Sequence, residues 1–203
     1  MTKVPAARGL MTRRTALWAL MGALPAACAI EPGRGRFPEI TFAHRPVFRL
    51  DVAAIEVVEA YRPSTTALHV ETEWPMPPDA MLRAWARDRL HAVGRAGRAR
   101  FVILDASVIE VPLAVAGGIA NALTVDQAYR YDASVKVRIE AADGAGLRTA
   151  RVEASARESR SVAEDITLND RERVWSAMTE ALAATLDAEL DRAVPRHLRA
   201  FLR

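Results

Sequence analysis

The feature that most constrains this chain is a strict alternation from Tyr129 to Ala141, reading YRYDASVKVRIEA. The odd positions Tyr129, Tyr131, Ala133, Val135, Val137, Ile139 and Ala141 are aromatic or apolar. The even positions from Arg130 to Glu140 are all polar. Side chains on a strand alternate between faces, so this stretch predicts a strand with one face on a core and the other in water. Strands of parallel sheets tend to be apolar on both faces, so a one-sided strand points to an antiparallel sheet.

The neighbouring segments fill in that sheet. Ala142-Asp143-Gly144-Ala145-Gly146 is a turn signal, and Leu147 to Ser161 alternates again, with Ala150, Val152, Ala154 and Ala156 facing inward; together they predict a hairpin. Phe101 to Val111, FVILDASVIEV, is apolar on both faces in its first half and belongs in the middle of the sheet. Val47 to Tyr61 alternates in two sets that are out of phase, which a bulge near Ala53-Ala54 would reconcile.

Two helices complete the pattern. The first is expected from Asp79, as N-cap, to Val93, with Gly94 as the stop; Met81, Leu82, Trp85, Ala86, Arg89, Leu90 and Val93 recur at helical spacing. Trp85 reads as a core anchor on that face. The basic turn GRAGRAR, residues 94–100, follows, and the macrodipole at a helix carboxyl end accounts for it. The second helix is expected from Asn169, with Glu172 completing a capping box, through Trp175, Met178, Leu182, Leu186, Leu190 and Val194. Pro195 should end or kink it, and Arg196 to Arg203 reads as a frayed tail. Residues 62–78 hold Pro63, Pro75, Pro77 and Pro78 and form a loop, with Trp74 folding back as a plug. The expected fold is α+β: a two-layer sandwich with a four-stranded, mostly antiparallel sheet covered by two helices, in the order β-α-β-β-β-α.

Domain organisation follows from the amino-terminal quarter. Arg13-Arg14 precedes Thr15 to Ala27, an uncharged run too short for the ~20 apolar residues of a membrane span. A basic start, a short apolar run and small residues at its end are the marks of a secretory signal peptide, and Met11 offers an alternative start with the usual proportions. The run closes on Cys28, the only cysteine, so no disulfide can form within the chain. Residues 29–46, with Pro32, Gly33, Gly35, Pro38 and Pro46, read as a tether, and residues 47–203 as a single domain.

Charge excludes one class of partner. The formal charge is +3, but Lys3, Arg8, Arg13 and Arg14 lie in the first 28 residues without an acid; beyond them 24 basic residues face 25 acidic ones. With no basic block in the linear sequence, nucleic acid is not an expected partner.

Catalytic signatures are also missing from the sequence. His44, His69, His91 and His197 include no pair at metal-ligand spacing, so neither a metal nor another cofactor is expected. There is no nucleophile elbow, P-loop or dinucleotide fingerprint. The acids Glu164-Asp165 precede a helix, where the dipole explains them. Pro112 to Val125, PLAVAGGIANALTV, is an uncharged loop between strands, which is unusual for a segment expected to run through water. Leu113, Val115, Ile119 and Leu123 are therefore the candidate contacts for a lipid or a protein partner.

Leu24-Pro25-Ala26-Ala27-Cys28 resembles the lipobox of bacterial lipoproteins, with Pro25 where that family prefers Leu. The resemblance implies cleavage before Cys28 and acylation of its thiol and new amino group; Ala29, which is not the retention residue Asp, implies the periplasmic face of the outer membrane. Cleavage after Ala29 is the alternative, through Ala27-Cys28-Ala29. Thr12-Arg13-Arg14 is similar to a twin-arginine export signal, against ordinary secretion. With this anchor, the helix before FVILDASVIEV, the hairpin YRYDASVKVRIEA/LRTARVEASA and the closing NDRERVW helix, the layout resembles small accessory lipoproteins of the Gram-negative envelope: the lipopolysaccharide-assembly lipoprotein and the auxiliary lipoproteins of ABC-type lipid transport. It implies a non-enzymatic envelope lipoprotein, held to the membrane by its lipid anchor, whose partner is an envelope transport or assembly protein or a lipid. The alternatives are a periplasmic hydrolase or peptidoglycan-modifying enzyme, which would gather Glu164, Asp165 and a histidine in one cleft, and a purely structural lipoprotein.

Overall fold

The long alternating strands form the centre of the structure. A computed structural model describes residues 37–66, 68–113 and 127–203, all within one compact unit, Gly35–Arg203. Its elements are β1 (Phe48–Leu50), β2 (Ala54–Glu59), α1 (Pro78–Arg89), β3 (Leu90–Ala92), β4 (Arg98–Pro112), β5 (Gln127–Ala142), β6 (Thr149–Ala163) and α2 (Leu168–His197). The main sheet is four-stranded in the order β2-β4-β5-β6. β4, β5 and β6 pair antiparallel, while β2 pairs parallel with β4. Both helices lie on one face, α1 on β4 and α2 on β5 and β6, which makes the fold an α+β two-layer sandwich.

The alternation in β5 works as its sequence dictates. Tyr131, Ala133, Val135, Val137, Ile139 and Ala141 are buried under the helices, while the intervening polar residues face the other side. Trp85 of α1 stacks on Phe101 of β4 at 5.6 Å, and Trp175 of α2 meets Tyr131 of β5 edge-on at 5.5 Å. Trp74 returns from the proline-rich loop and stacks on Trp175 at 5.8 Å, the plug its isolation among acids and prolines suggests. The inward alanines Ala154 and Ala156 are small enough for α2 to lie close to β6.

Several local expectations are corrected. The two out-of-phase sets in residues 47–61 are two strands in different sheets: β1 pairs parallel with β3 in a separate two-stranded sheet, and β2 joins the edge of the main one. The phase change marks a change of sheet, with Leu50 and Val52 both buried at the switch. α1 ends at Arg89, earlier than its apolar spacing suggests, because Leu90–Ala92 can pair with Phe48–Leu50, some forty residues upstream. Tertiary pairing here overrides helix propensity. Gly94 is consequently no helix stop: a Cβ at that position would come within 2.6 Å of the Asp51–Val52 backbone, so the residue permits a close approach of two chain segments.

The α2 cap sits two residues earlier than expected. Thr167 Oγ1 accepts a hydrogen bond from the Asp170 backbone N–H and donates one to the Asp170 carboxylate at 2.7 Å. The helix passes through Pro195 to His197. The last residues are packed rather than frayed: Phe201 is 0 % exposed, Leu202 bridges Leu50, and the Arg203 backbone N–H donates to the Arg49 carbonyl. Part of the segment read as a tether is also packed, with Phe42 buried in the core. Among the described residues no helix is long and apolar enough to cross a membrane.

Candidate functional site

Of the residues singled out for contact with a lipid or protein, Leu113 is half-buried at the end of β4, where its N–H donates to the Ala128 carbonyl at 2.8 Å. Val115, Ile119, Leu123 and Cys28 lie outside the described residues. Glu164 and Asp165 are exposed in the turn after β6, one edge of the sheet. His69 is bridged to Ile109 of β4 on the side away from β5, and His44, His91 and His197 are exposed. These acids and histidines do not share a described cleft. No group of His, Cys, Asp and Glu able to hold a metal ion occurs among the described residues.

Three clusters that linear reading missed are assembled by the fold. The first lies between the helices. Arg89 of α1 is 0 % exposed, with its guanidinium 4.7 Å from the Phe48 ring centre. Its Nε lies 3.3 Å from Asp187 Oδ1 of α2, and its other nitrogens donate to Asp191 and to the Pro46 carbonyl. Trp85 Nε1 donates to Asp187 Oδ1 at 2.8 Å, and Arg45 Nε donates to Asp187 Oδ2 at 2.9 Å. This cluster ties α1, α2 and the incoming chain together. Its charges are consumed by one another, which is what burial demands.

The second cluster is a lock on the loop after β2. Glu71 is 4 % exposed; it accepts the Tyr61 hydroxyl at 2.6 Å and the Val108 backbone N–H at 3.3 Å, and His69 Nδ1 lies 3.4 Å away. A cleft of about 350 Å³ opens beside Tyr61, Glu71, Asp79 and Arg83. Burial, then the bond to Glu71, pushes the Tyr61 phenol well above its ordinary range. Tyr61 is thus held as the neutral hydroxyl that donates to Glu71.

The third cluster is on the sheet face that the helices leave uncovered. Registered rows cross it from β4 through β5 to β6: Arg98–Ala142–Thr149, then Arg100–Glu140–Arg151, then Val102–Arg138–Glu153. Toward the middle of this face, charges compensate one another. Arg138 Nε donates to Glu153 at 2.8 Å, Lys136 Nζ lies 3.0 Å from Glu153, and Arg130 forks onto Asp132, which also accepts from Ser159 at 2.6 Å. The Arg130 bonds, then Ser159, hold the Asp132 carboxyl below its usual range, and Lys136, then Arg138, do the same for Glu153.

At the hairpin end the balance fails. Arg98, Arg100 and Arg151 line an open cleft of about 570 Å³ with Glu140, Ala142 and Thr149. Glu140 is shared between Arg100 at 3.7 Å and Arg138 at 3.4 Å, while Arg98 and Arg151 form no ion pair among the described residues. Around the corner, Arg95, Arg148 and Arg203 border a second cleft of about 620 Å³ with Asp51 and Asp143. Arg148 is held 4.8 Å over the Phe201 ring. The macrodipole explanation for GRAGRAR is thus corrected: α1 has already ended at Arg89, and Arg98 and Arg100 are strand residues on the open face. A signal for this cluster was present in the hairpin, since a turn centred on Asp143–Gly146 registers Glu140 opposite Arg151.

No family profile matches the sequence, and no curated protein matches it. Solved structures do match. The rare lipoprotein B from Shewanella oneidensis is 11 % identical over 68 % of this chain and 92 % of its own, with a TM-score of 0.36. A minor lipoprotein from Acinetobacter baumannii is 12 % identical over 71 % of this chain and 96 % of its own, at 0.31. A PelC dodecamer from Paraburkholderia phytofirmans is 12 % identical over 70 % of this chain and 91 % of its own, at 0.21. These superpositions are loose, and none of the three lends a residue role to this chain.

Proposed function

We propose that this chain is a non-enzymatic envelope lipoprotein whose folded domain binds a membrane protein or a lipid in outer-membrane assembly or lipid transport. The observation that carries the reading is Cys28: the only cysteine closes an uncharged run behind Arg13-Arg14, after the small residues Ala26 and Ala27. Thioether and amide acylation at that residue would give more than one chain, as stable anchoring requires, since a single chain binds membranes marginally. The domain supports a binding role in its own way. One face of its sheet carries a polar surface that neither helix covers, and the long β5–β6 hairpin holds that surface on rigid backbone.

The test is fractionation of cells producing the chain or its Cys28→Ala variant. The wild-type protein should sediment with outer membranes, and the variant should leave the outer-membrane fraction. Identical distribution of the two would remove the lipid anchor from this reading. Deleting residues 114–122 probes the contact role of the uncharged loop: co-purifying envelope proteins or lipids should be lost while the melting temperature is kept, and an unchanged profile would move the contact surface elsewhere.

A further inference from the structure

We propose that the hairpin end of the open sheet face, built on Arg98, Arg100, Thr149 and Arg151, is a binding site for a phosphate group. This assignment does not depend on acylation of Cys28. The cleft carries excess positive charge. Among the groups lining the cleft, three arginines face one carboxylate, Glu140, which is already shared between Arg100 and Arg138. Elsewhere on the same face Arg130, Lys136 and Arg138 each have an acidic partner within 3.0 Å. Arg157, farther along β6, also has no ion-pair partner among the described residues, but only at the hairpin end do three arginines line one cleft with a single shared carboxylate, a surplus that suits an anion.

The placement of the donors suits a phosphate group. Arg98 on β4 and Arg151 on β6 flank β5 on a diagonal, two strand spacings across and two residues along, or ~12 Å apart, within the combined reach of two arginine side chains. On β5 between them lie Ala142, which takes up little space, and Glu140, already engaged by Arg100 and Arg138; Thr149, beside Arg151 on β6, has a hydroxyl that can donate a further bond. Guanidinium groups are permanently charged and offer paired donors that match phosphate oxygens. The floor is rigid. Gly97 turns the chain into β4 at φ +83°, where a Cβ would come within 2.4 Å of the Ala142 carbonyl, so the start of β4 is held hard against the hairpin. Asp143 fixes the turn by accepting the Leu147 and Arg148 backbone N–H groups at 2.9 and 3.2 Å.

The same phosphate chemistry occurs on a soluble anion and on a lipid headgroup, and calorimetric titration separates them. The full-length chain in non-ionic detergent is titrated with inorganic phosphate, and with phosphatidylglycerol in matched micelles against phosphatidylcholine as the zwitterionic control. Arg98→Ala/Arg151→Ala should weaken binding at least tenfold. Arg62→Ala/Arg157→Ala removes the same charge from exposed positions outside the cleft and should leave binding unchanged. Arg98→Lys/Arg151→Lys keeps the charge, loses the fork and should fall between. Because all these positions are exposed, melting temperatures should agree with wild type and show that folding is intact. Binding of inorganic phosphate supports a soluble ligand, and binding of phosphatidylglycerol alone supports a headgroup. Binding of neither probe, or equal weakening in both alanine pairs, overturns the site.

Discussion

Arg89 and Arg151 are the same residue put to opposite uses. Arg89 lies between two helices with no access to water, and each face of its guanidinium is occupied by Asp187, Asp191, the Pro46 carbonyl or the Phe48 ring. Arg151 stands on the open sheet face with no ion-pair partner among the described residues. Removing a charge from water is costly, so a buried arginine persists only when its partners are built in. An exposed one carries no such demand and keeps its hydrogen-bonding capacity for a ligand. Partnering, more than residue type, separates the architectural charges of this protein from those available for binding.

The largest effect is expected at Asp187. Asp187→Ala takes an ion-pair partner from Arg89 and the acceptor from Trp85 Nε1 in a buried site. It should cost about 3–5 kcal/mol in urea unfolding; a loss under about 1 kcal/mol would mean that the cluster is solvated rather than buried. Thr167→Ala removes the cap of α2 and should cost about 1 kcal/mol in the same assay, with no change in anion binding.

Acid should act on the open face next. Asp132 and Glu153 titrate below their ordinary values because of their cationic partners. Depressed carboxyls stabilise the fold above the unfolded value, ~4, and that stability is lost as pH falls through the lower folded values. Melting temperature should therefore fall below about pH 4, and Asp132→Asn should flatten that fall. An identical acid profile in the variant would detach Asp132 from it. The smallest effect belongs to Arg98→Ala/Arg151→Ala, which should move unfolding by no more than about 0.5 kcal/mol. A loss of several times that would make these arginines architectural too, and the contrast with Arg89 would collapse.

What could be read in the sequence was whatever depends on local periodicity. β5 shows its two faces through alternation, α2 shows its buried stripe from Trp175 to Val194, and the hairpin shows its turn. What escaped depends on partners distant in the chain. Phe48–Leu50 and Leu90–Ala92 are strands only because they find each other, so the first reads as part of a bulged strand and the second as the end of a helix. Phe201 reads as a frayed end because nothing nearby shows that it is buried or that the chain beside it pairs with Leu50. The arginines escaped for a related reason: Arg98 and Arg100 sit in one segment and Arg151 in another, and only the β4–β5–β6 register sets them side by side.

The lipoprotein function rests on Cys28, and the intact mass of the protein recovered from membranes tests it most directly. The expected species begins at Cys28, carries acyl chains and is absent from a Cys28→Ala strain. A species beginning at Ile30 without acylation, and unchanged by the substitution, would contradict the lipoprotein reading and leave a free domain whose ligand must be sought in solution.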